Sequence, residues 1–474
     1  MTPTLFGVLT AALGLLLLWR GSTVAMLQTV MALSLMGGSA AIVLTSLGGS
    51  TVQPAILALA FLVVRCLAPQ PGQGYRLAQG MRDLAPLILF ALYGAIGAFI
   101  LPRLFAGSIY VTPLRPIPTG YLYAAFPLAF SPQNITSAVY LISTLLAATC
   151  AYVAVRRAPD STPIARTAGV IAVVHAGLGL SSVVLANTAW ASALKFVRNG
   201  NYAQLDQTVD GMARMTGIFP ESAVYASYGF IWLVFTCELW LRGIQPRYTG
   251  WGAAALTTAL ILSTSTTGYI GLGAYGCILL GRMALAQRAI PLSKGLGLVA
   301  AGLFALAGVM ALAIIDPAIA NALAQTGARL TVDKAQSASA LQRAFWAKQG
   351  ITAFTASYGL GIGPGSFRSS SIALAVLGST GLIGCAALAL HLLRMFKPLA
   401  RSTWIATRDP ARDAGAAAAW AALVALIPAS VSAPSPDPGL VWGILCGFAL
   451  GLRRPAEPNE NPRDAVTFAN DLQL

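Results

Sequence analysis

The sequence predicts an all-α, polytopic integral membrane protein with about 12–13 transmembrane helices. Hydrophobic residues make up 57% of the 474 residues and charged residues only 9%, whereas soluble proteins average about 25% charged residues. The mean hydropathy is +0.72. Apolar runs near the length of roughly 20 residues that crosses a bilayer follow one another along the chain. Residues 1–474 are therefore expected to form a single transmembrane domain.

Thirteen apolar runs are the predicted spans, and the short runs among them make 12 spans equally possible. They lie at 4–19, 24–47, 53–66, 84–104, 136–156, 166–188, 222–242, 249–263, 266–284, 295–315, 371–395, 413–430 and 437–452. Basic residues concentrate in alternate connections between them, which the positive-inside rule assigns to the cytoplasm. The polar segment 453–474 is then expected to be a disordered cytoplasmic tail.

The net charge of +15 comes from basic residues scattered between apolar runs and not from one patch. This distribution argues against nucleic acid as a partner and favours a role in topology. Two large loops on the outer face, 189–221 and 316–370, nevertheless carry cations that topology does not require. A third outer connection, 105–135, is rich in proline and tyrosine.

These two outer loops contain the candidate site. Residues 337–357 have apolar positions at near-helical spacing and predict an amphipathic helix at the membrane surface, with Arg343 on its polar flank. A glycine-rich turn follows, and then Arg368, Ser369 and Ser370. Arginine forks and the backbone amides of a Gly-Ser turn suit a diphosphate. Simple turn chemistry is the alternative interpretation of the glycines.

The loop at 189–221 supplies two further candidates. Arg214 has no evident local partner, and Glu221 directly precedes a predicted span. Glu221 is interpreted either as a carboxylate that stabilises the helix N-terminus or as a catalytic base. The two histidines, His175 and His391, fall inside predicted spans and are expected to be buried packing residues. The outer loops contain no metal-binding pattern, so neither a metal nor another cofactor is expected.

Four segments occur in an order typical of one superfamily: RMTGIFPES at 214–222, ILSTSTTGYIGL at 261–272, SASALQRAFW at 337–346 and GIGPGSFRSSSIALAVLGSTGLIG at 361–384. From about residue 130 onward the chain resembles the O-antigen ligase and polysaccharide polymerase superfamily of bacterial inner-membrane glycosyltransferases. The resemblance implies a GT-C-like fold, a multi-pass location in the inner membrane and an active site facing the periplasm. The motifs are loose and consist mostly of Gly, Ser and Arg.

The resemblance also implies the reaction. An undecaprenyl-diphosphate-linked glycan is the donor, the hydroxyl of a glycan acceptor attacks its anomeric carbon, and the lipid diphosphate leaves without help from a metal. Arginines in the two large loops are essential in the family, and Arg214, Arg343 and Arg368 match those places. The expected site is then Glu221, Arg214 and Arg343 for catalysis, and Arg214, Arg343, Arg368, Ser369 and Ser370 for binding the diphosphate.

One departure from the pattern bears on the subfamily. Ligases that transfer O-antigen to lipid A-core carry a histidine, then Asn, Ser or Gln, nine residues and GxxG. Counting back from Gly381 puts Ser370 at the histidine position, and serine cannot replace imidazole as a base near neutral pH. A polymerase of exopolysaccharide or O-antigen repeat units is therefore preferred, with membrane lipid around it and a chain-length regulator protein as a further partner. A ligase is the first alternative. A lipid or glycan transporter without a bond-making role is the second alternative. Transporters keep their ionisable residues near the bilayer midplane, whereas the cations that topology does not require lie in the outer loops of this chain.

Overall fold

The computed structural model describes residues 2–45, 49–114, 124–200, 208–209, 212–285, 293–295, 297, 338–407 and 409–454. The chain is mostly helical. Within the described residues, six helices are long and apolar enough to cross a membrane: Ala85–Leu104, Pro132–Arg157, Thr162–Val184, Ser222–Leu241, Ile372–Phe396 and Pro410–Ala429. Four shorter apolar helices accompany them. The prediction of a helical membrane protein is confirmed at this level, and the expected span at 295–315 lies almost entirely outside the described residues.

The helices follow one another with few strands between them. They are α1 Leu5–Arg20, α2 Thr23–Leu33, α3 Pro54–Leu67, α4 Gln73–Asp83, α5 Ala85–Leu104, α6 Pro132–Arg157, α7 Thr162–Val184, α8 Ala189–Val197, α9 Ser222–Leu241, α10 Pro246–Leu262, α11 Thr266–Leu285, α12 Ala338–Ala356, α13 Ile372–Phe396, α14 Arg401–Trp404, α15 Pro410–Val424, α16 Leu426–Ala429 and α17 Leu440–Gly451. In the described part of the chain, seven short strands form antiparallel pairings: β1 Thr2–Pro3, β2 Ile42–Leu44 and β3 Ser50–Val52 in one sheet, β4 Tyr110–Val111 with β5 Phe126–Pro127, and β6 Thr208–Val209 with β7 Met212–Ala213.

The predicted span at 24–47 is wrong, because α2 ends at Leu33 and the chain turns into β2. Gly37 and Gly38 lie in this turn and pack against a segment almost two hundred residues away. A Cβ on Gly38 would stand 2.6 Å from the carbonyl oxygen of Ile218, and the Gly38 amide donates a 2.9 Å hydrogen bond to that same oxygen. The turn therefore contacts and positions the segment that precedes α9.

The core of the bundle forms where α17 packs lengthwise on α6. Gly443, Gly447 and Gly451 recur every four residues on the face of α17 that meets α6. A Cβ on Gly443 or Gly447 would lie 2.3 Å from a carbonyl oxygen of α6, at Thr144 and Ala148 respectively. Small residues in this pattern let two helix backbones approach closely, as is common between membrane helices.

A buried ion-pair network joins the C-terminal ends of α9 and α11 to the N-terminal end of α15. Glu238 of α9 pairs with Arg282 of α11 and lies 3.8 Å from Arg242, four residues along its own helix. Arg242 in turn contacts Asp413 of α15 at 3.2 Å. Removing one member of such a network typically costs about 3–5 kcal/mol, because its partner is left as an uncompensated buried charge. These ionisable residues therefore hold helices together at one end of the bundle.

A break in α13 at Gly381 accommodates the glycine-rich turn that follows α12. Gly381 has φ 58° and ψ −155°, values outside the helical region, in the middle of α13. The Gly359 carbonyl oxygen accepts a 2.9 Å hydrogen bond from the amide of Leu382. Ile362 and Gly363 donate to the carbonyls of Gly378 and Ser379 at 2.9 and 3.0 Å, so the turn satisfies the backbone groups that the break exposes.

We expect Gly381→Ala to destabilise the protein severely. A Cβ at this position would lie 2.0 Å from the Gly359 carbonyl oxygen, and a backbone conformation that is essentially restricted to glycine costs about 1–3 kcal/mol for a residue with a side chain. The matched control is Gly273→Ala in α11, where a Cβ meets nothing within 4 Å and where alanine favours helix by about 0.5–1 kcal/mol. Thermal unfolding in detergent measures both. Equal melting temperatures for the two variants would show that the break in α13 is not required.

Candidate functional site

The segment 214–221 leads into α9 and is held from several sides. The amides of Thr216 and Gly217 donate to the hydroxyl of Ser182 in α7, at 3.4 and 3.2 Å. Glu221 is the N-cap residue of α9, but its side chain makes no capping hydrogen bond. The Glu221 carboxylate has no hydrogen bond or ion pair with any residue that the structure describes. It is therefore a carboxylate at a helix N-terminus that remains available for another group.

Arg368 is fixed by the loop that follows β4. Its amide donates to the Thr112 carbonyl at 2.9 Å, and its Nη1 donates to the Leu114 carbonyl at 3.3 Å. The guanidinium lies over the ring of Trp346 in α12, with 4.4 Å between Cζ and the ring centroid. A planar guanidinium stacks well on an indole face, and partial burial strengthens this interaction. Arg368 is thus held by contacts with two separate parts of the chain.

The helix that carries Arg343 is tied to the same loop. Gln349 of α12 accepts a hydrogen bond from the Thr112 amide at 3.0 Å and donates one to the Thr112 hydroxyl at 2.8 Å. Gln349 and Thr112, which these two hydrogen bonds join, are both buried. Because Arg343 lies six residues earlier on α12, the contact fixes the position of its backbone relative to Arg368.

The glycine-rich turn is anchored to the start of α6. Asn134 is fully buried and donates from Nδ2 to the Pro364 carbonyl at 2.8 Å and to the Ser366 hydroxyl at 2.9 Å. Gly365 has φ 87°, and a Cβ there would stand 2.4 Å from the Gln133 carbonyl oxygen. Glycine is therefore required here both for its backbone conformation and for close packing. The turn positions the residues that follow it, including Arg368.

The structure brings the three predicted arginines and Glu221 into one electrostatic cluster, which we call the arginine cluster (Arg214, Arg343 and Arg368, with Glu221). Burial and the charge of Arg343 lower the pKa of Arg214, and Glu221 opposes this shift. Burial lowers the pKa of Arg368 as well, with Glu221 acting against it and Arg343 adding to it. Glu221 therefore acts on both Arg214 and Arg368, and Arg343 adds a third positive charge to the same cluster. The fold brings Arg214 close to the other two arginines, although more than a hundred residues separate it from each of them in the sequence.

The arginine cluster contains more hydrogen-bond donors than acceptors. Among the described residues, none of the three arginines forms an ion pair with a carboxylate. The buried Nε atoms of Arg214 and Arg368 and the indole nitrogen of Trp346 have no hydrogen-bond partner in the part of the chain that the structure describes. A buried donor without an acceptor costs about 1–3 kcal/mol. Positive charge and unused donors in one place are the arrangement that an anion would complete.

Ser369 and Ser370 lie beside the arginine cluster, but their hydroxyl groups bond to the backbone. The Ser370 hydroxyl donates to the Arg343 carbonyl at 2.6 Å, and the Ser369 hydroxyl donates to the Ser371 carbonyl at 3.1 Å. Both side chains are buried. These bonds connect the segment after Arg368 to α12, so they position the arginines. Direct binding of a diphosphate by either hydroxyl remains a prediction.

Arg198, a cation of the 189–221 loop, is buried and not exposed at the surface. Arg198 follows α8 and is only 7% exposed, and its Nη1 donates to the Thr216 hydroxyl at 3.0 Å. Its aliphatic stem packs close to Gly38, where an added Cβ would meet the Arg198 Cγ at 3.3 Å. The side chain therefore fastens the end of α8 to the segment that carries Arg214.

Both histidines are buried inside helices, as the sequence predicts. His175 of α7 is 1% exposed, stacks on Tyr225 with a centroid distance of 4.1 Å and lies 3.1 Å from the Tyr225 carbonyl oxygen through its Nε2. His391 of α13 is fully buried near Trp442. Neither belongs to the arginine cluster.

Asp437 belongs to a loop that contacts the site, and its role is not predicted from the sequence. It lies in the loop between α16 and α17, and its Oδ1 accepts from the Thr144 hydroxyl at 2.7 Å and from the Gly439 amide at 3.2 Å. The same loop contacts the site, because the Pro434 carbonyl accepts from the amide of Ser369 at 3.0 Å. Burial raises the pKa of Asp437. The only signal in the sequence was an acidic residue at the start of an apolar run, which is rare without a function.

Parts of the predicted loops lie outside the described residues. These are 201–207 and 210–211 of the 189–221 loop, 316–337 of the 316–370 loop, and 455–474 of the predicted tail. The described remainder of the first loop contains α8 and the β6–β7 hairpin, and that of the second contains α12.

Comparisons with models of protein families, with curated proteins and with solved structures find no match to this chain.

Proposed function

We propose that the protein is a glycosyltransferase whose donor is a glycan linked to a lipid through a diphosphate. The observation that carries this proposal is the arginine cluster, in which one carboxylate acts on two of the three arginines and buried donors have no acceptors among the described residues. A diphosphate offers several oxygens and a high negative charge, and the arginine fork binds such oxygens in pairs. The apolar helices around the cluster suit a donor with a lipid tail.

The reaction that fits these residues is displacement of the diphosphate by a sugar hydroxyl. The acceptor oxygen forms a bond to the anomeric carbon, while the bond from that carbon to the diphosphate oxygen breaks and its electron pair leaves with the diphosphate. The proton of the acceptor hydroxyl goes to the Glu221 carboxylate, which is free to accept it. Arg214, Arg343 and Arg368 bind the charge that grows on the leaving oxygens.

Within this reaction class we propose a polymerase of undecaprenyl-diphosphate-linked repeat units acting at the periplasmic face of a bacterial inner membrane. The resemblance in the segments at 214–222 and 361–384 supports this assignment. Serine at position 370 supports a polymerase over a ligase, because its hydroxyl hydrogen is directed to the Arg343 carbonyl and it offers no base of suitable pKa.

Purified protein in lipid should elongate a lipid-diphosphate-linked oligosaccharide into a ladder of products, and it should do so in the presence of EDTA. Arginines and not a bound cation are expected to neutralise the leaving group, so chelation should leave the rate within a few-fold. Products are resolved by gel electrophoresis and mass spectrometry. A single addition to a separate acceptor would indicate a ligase. Complete loss of activity with EDTA and recovery with magnesium would contradict the mechanism.

A further inference from the structure

A cavity of about 500 Å³ lies at the end of the bundle opposite the arginine cluster, where α4, α13 and α17 end. Its volume falls within the range of roughly 300–1,000 Å³ that is typical of small-molecule sites. Five cationic residues line it: Arg82, Arg394, Lys397, Arg453 and Arg454. One acidic residue, Asp83, also lines it. We call this space the basic cavity, and its charge is far from balanced.

The carboxylate of Asp83 is already fully engaged by neighbouring side chains. Arg454 binds it through two nitrogens in a fork, and the Tyr152 hydroxyl donates to Oδ2 at 2.8 Å. The pKa of Arg454 is raised, first by its hydrogen bond with Asp83. Asp83 and Arg454 therefore neutralise each other, and the remaining four cations of the basic cavity have no acidic partner among its lining residues.

Two of the other cations lie at the C-terminus of α13. Arg453 is buried and donates from Nη1 to the carbonyls of Met395 and Phe396, at 2.9 and 3.1 Å, which caps the C-terminus of α13. Lys397 follows immediately and has φ 51°, a left-handed conformation that is unfavourable for a residue other than glycine. The fold therefore places a lysine, and not the glycine usual at this position, next to a buried arginine.

Positive charges around the basic cavity repel one another. Burial lowers the pKa of Lys397, and Arg453 and Arg454 lower it further although Asp83 opposes them. Burial and the charges of Arg242 and Arg412 lower the pKa of Arg453 to about 10. A bound anion would relieve this repulsion, in addition to forming charge-assisted hydrogen bonds with the exposed Arg82 and Arg394.

We propose that the basic cavity binds a phosphate group of an anionic ligand. The two sources of such a group are the headgroup of an anionic phospholipid and a free phosphate compound. The surroundings favour the lipid, because the cavity lies where apolar helices end, and because the adjoining α4 exposes Tyr75 and Met81, at 60% and 58%, beside the basic Arg82. Aromatic and basic residues on one surface helix are typical of a membrane interface. This site is separate from the proposed catalytic one.

The test measures binding of phosphatidylglycerol and, separately, of inorganic phosphate to the purified full-length protein in detergent. The variant is Arg394→Gln/Lys397→Gln, which removes two charges and keeps much of the side-chain bulk. The control is Arg247→Gln/Arg401→Gln, which removes two exposed charges from the same end of the bundle without touching the cavity. Phosphatidylcholine serves as the lipid without net charge, and thermal unfolding verifies that all proteins are folded.

The variant should bind phosphatidylglycerol about 25-fold more weakly than the unmodified protein, given roughly five-fold for each basic residue removed. The control should bind as the unmodified protein does. If inorganic phosphate shows the same dependence on Arg394 and Lys397 while the lipid does not bind, the source is a free phosphate compound. Equal affinity of all three proteins for both probes, or equal binding of phosphatidylcholine and phosphatidylglycerol, would overturn the proposal.

Discussion

Arg343→Ala and Arg368→Ala should each lower the turnover of the proposed glycosyl transfer by on the order of 10²–10³, the typical loss when one donor to a developing negative charge is removed. Arg343→Lys and Arg368→Lys should recover only part of this loss, because lysine keeps the charge but lacks the fork. The measurement is in vitro elongation of a lipid-diphosphate-linked glycan under single-turnover conditions. Lys348→Ala is the matched control, since Lys348 is exposed on the same helix as Arg343 and should tolerate the change within a few-fold.

Stability provides a second, independent readout for Arg343. Its charge lowers the pKa of both Arg214 and Arg368, so the three cations repel one another without a ligand. Arg343→Ala should therefore leave the melting temperature unchanged or slightly raised, whereas a purely structural arginine would lower it. Pyrophosphate should stabilise the unmodified protein by mass action and should stabilise the variant much less. Near-normal turnover in both alanine variants would mean that these cations are only loop charges.

Arg368→Ala needs a different interpretation, because Arg368 also has structural contacts. It loses the stacking on Trp346 and the bond to the Leu114 carbonyl, so some loss of stability is expected. Arg368→Lys retains a cation that can lie over the same indole ring. A defect in turnover that persists in the lysine variant at unchanged melting temperature would assign the loss to diphosphate binding and not to folding.

The sequence predicted those elements whose signal is local. The runs at 84–104 and 222–242 are almost uniformly apolar and end at charged residues, and the structure has helices at Ala85–Leu104 and Ser222–Leu241. The i,i+4 pair of Glu238 and Arg242 was also readable from its spacing, and the two side chains lie 3.8 Å apart. Its extension to Arg282 and Asp413 was not, because those residues belong to other helices.

Features that depend on distant contacts were missed. The end of α2 at Leu33 follows from the docking of Gly38 on Ile218, while the apolar sequence itself continues. The non-helical Gly381 lies in a run that has the hydropathy of a continuous span. Arginine is usually exposed, and only the fold shows that Arg198 is buried against Thr216. For the same reason the sequence could name the arginines of the cluster, but not show that Glu221 acts on Arg214 and Arg368.

Glu221→Gln should abolish most of the turnover while preserving binding of the donor. A positioned general base contributes typically 10²–10⁴ in rate, and glutamine cannot accept the proton of the acceptor hydroxyl. The carboxylate also competes with the diphosphate for the arginines, since it acts on both Arg214 and Arg368. Its removal should therefore leave the affinity for the donor unchanged or increase it, so that kcat falls and KM does not rise.

The position of Glu221 makes this variant interpretable. The side chain forms no capping bond to α9 and no ion pair with the described residues, so its charge acts mainly on Arg214 and Arg368. Neutralising it should lower the melting temperature modestly, and retained binding of the donor shows that the variant is folded. Asp437→Asn is the competing variant, since Asp437 is the other carboxylate on a loop that contacts the site. If Asp437→Asn loses turnover while Glu221→Gln keeps it, the proton is accepted at Asp437 and the role assigned to Glu221 is wrong. If only Glu221→Gln loses turnover, with donor binding intact, the carboxylate at the start of α9 is the base and the arginines around it bind the leaving group.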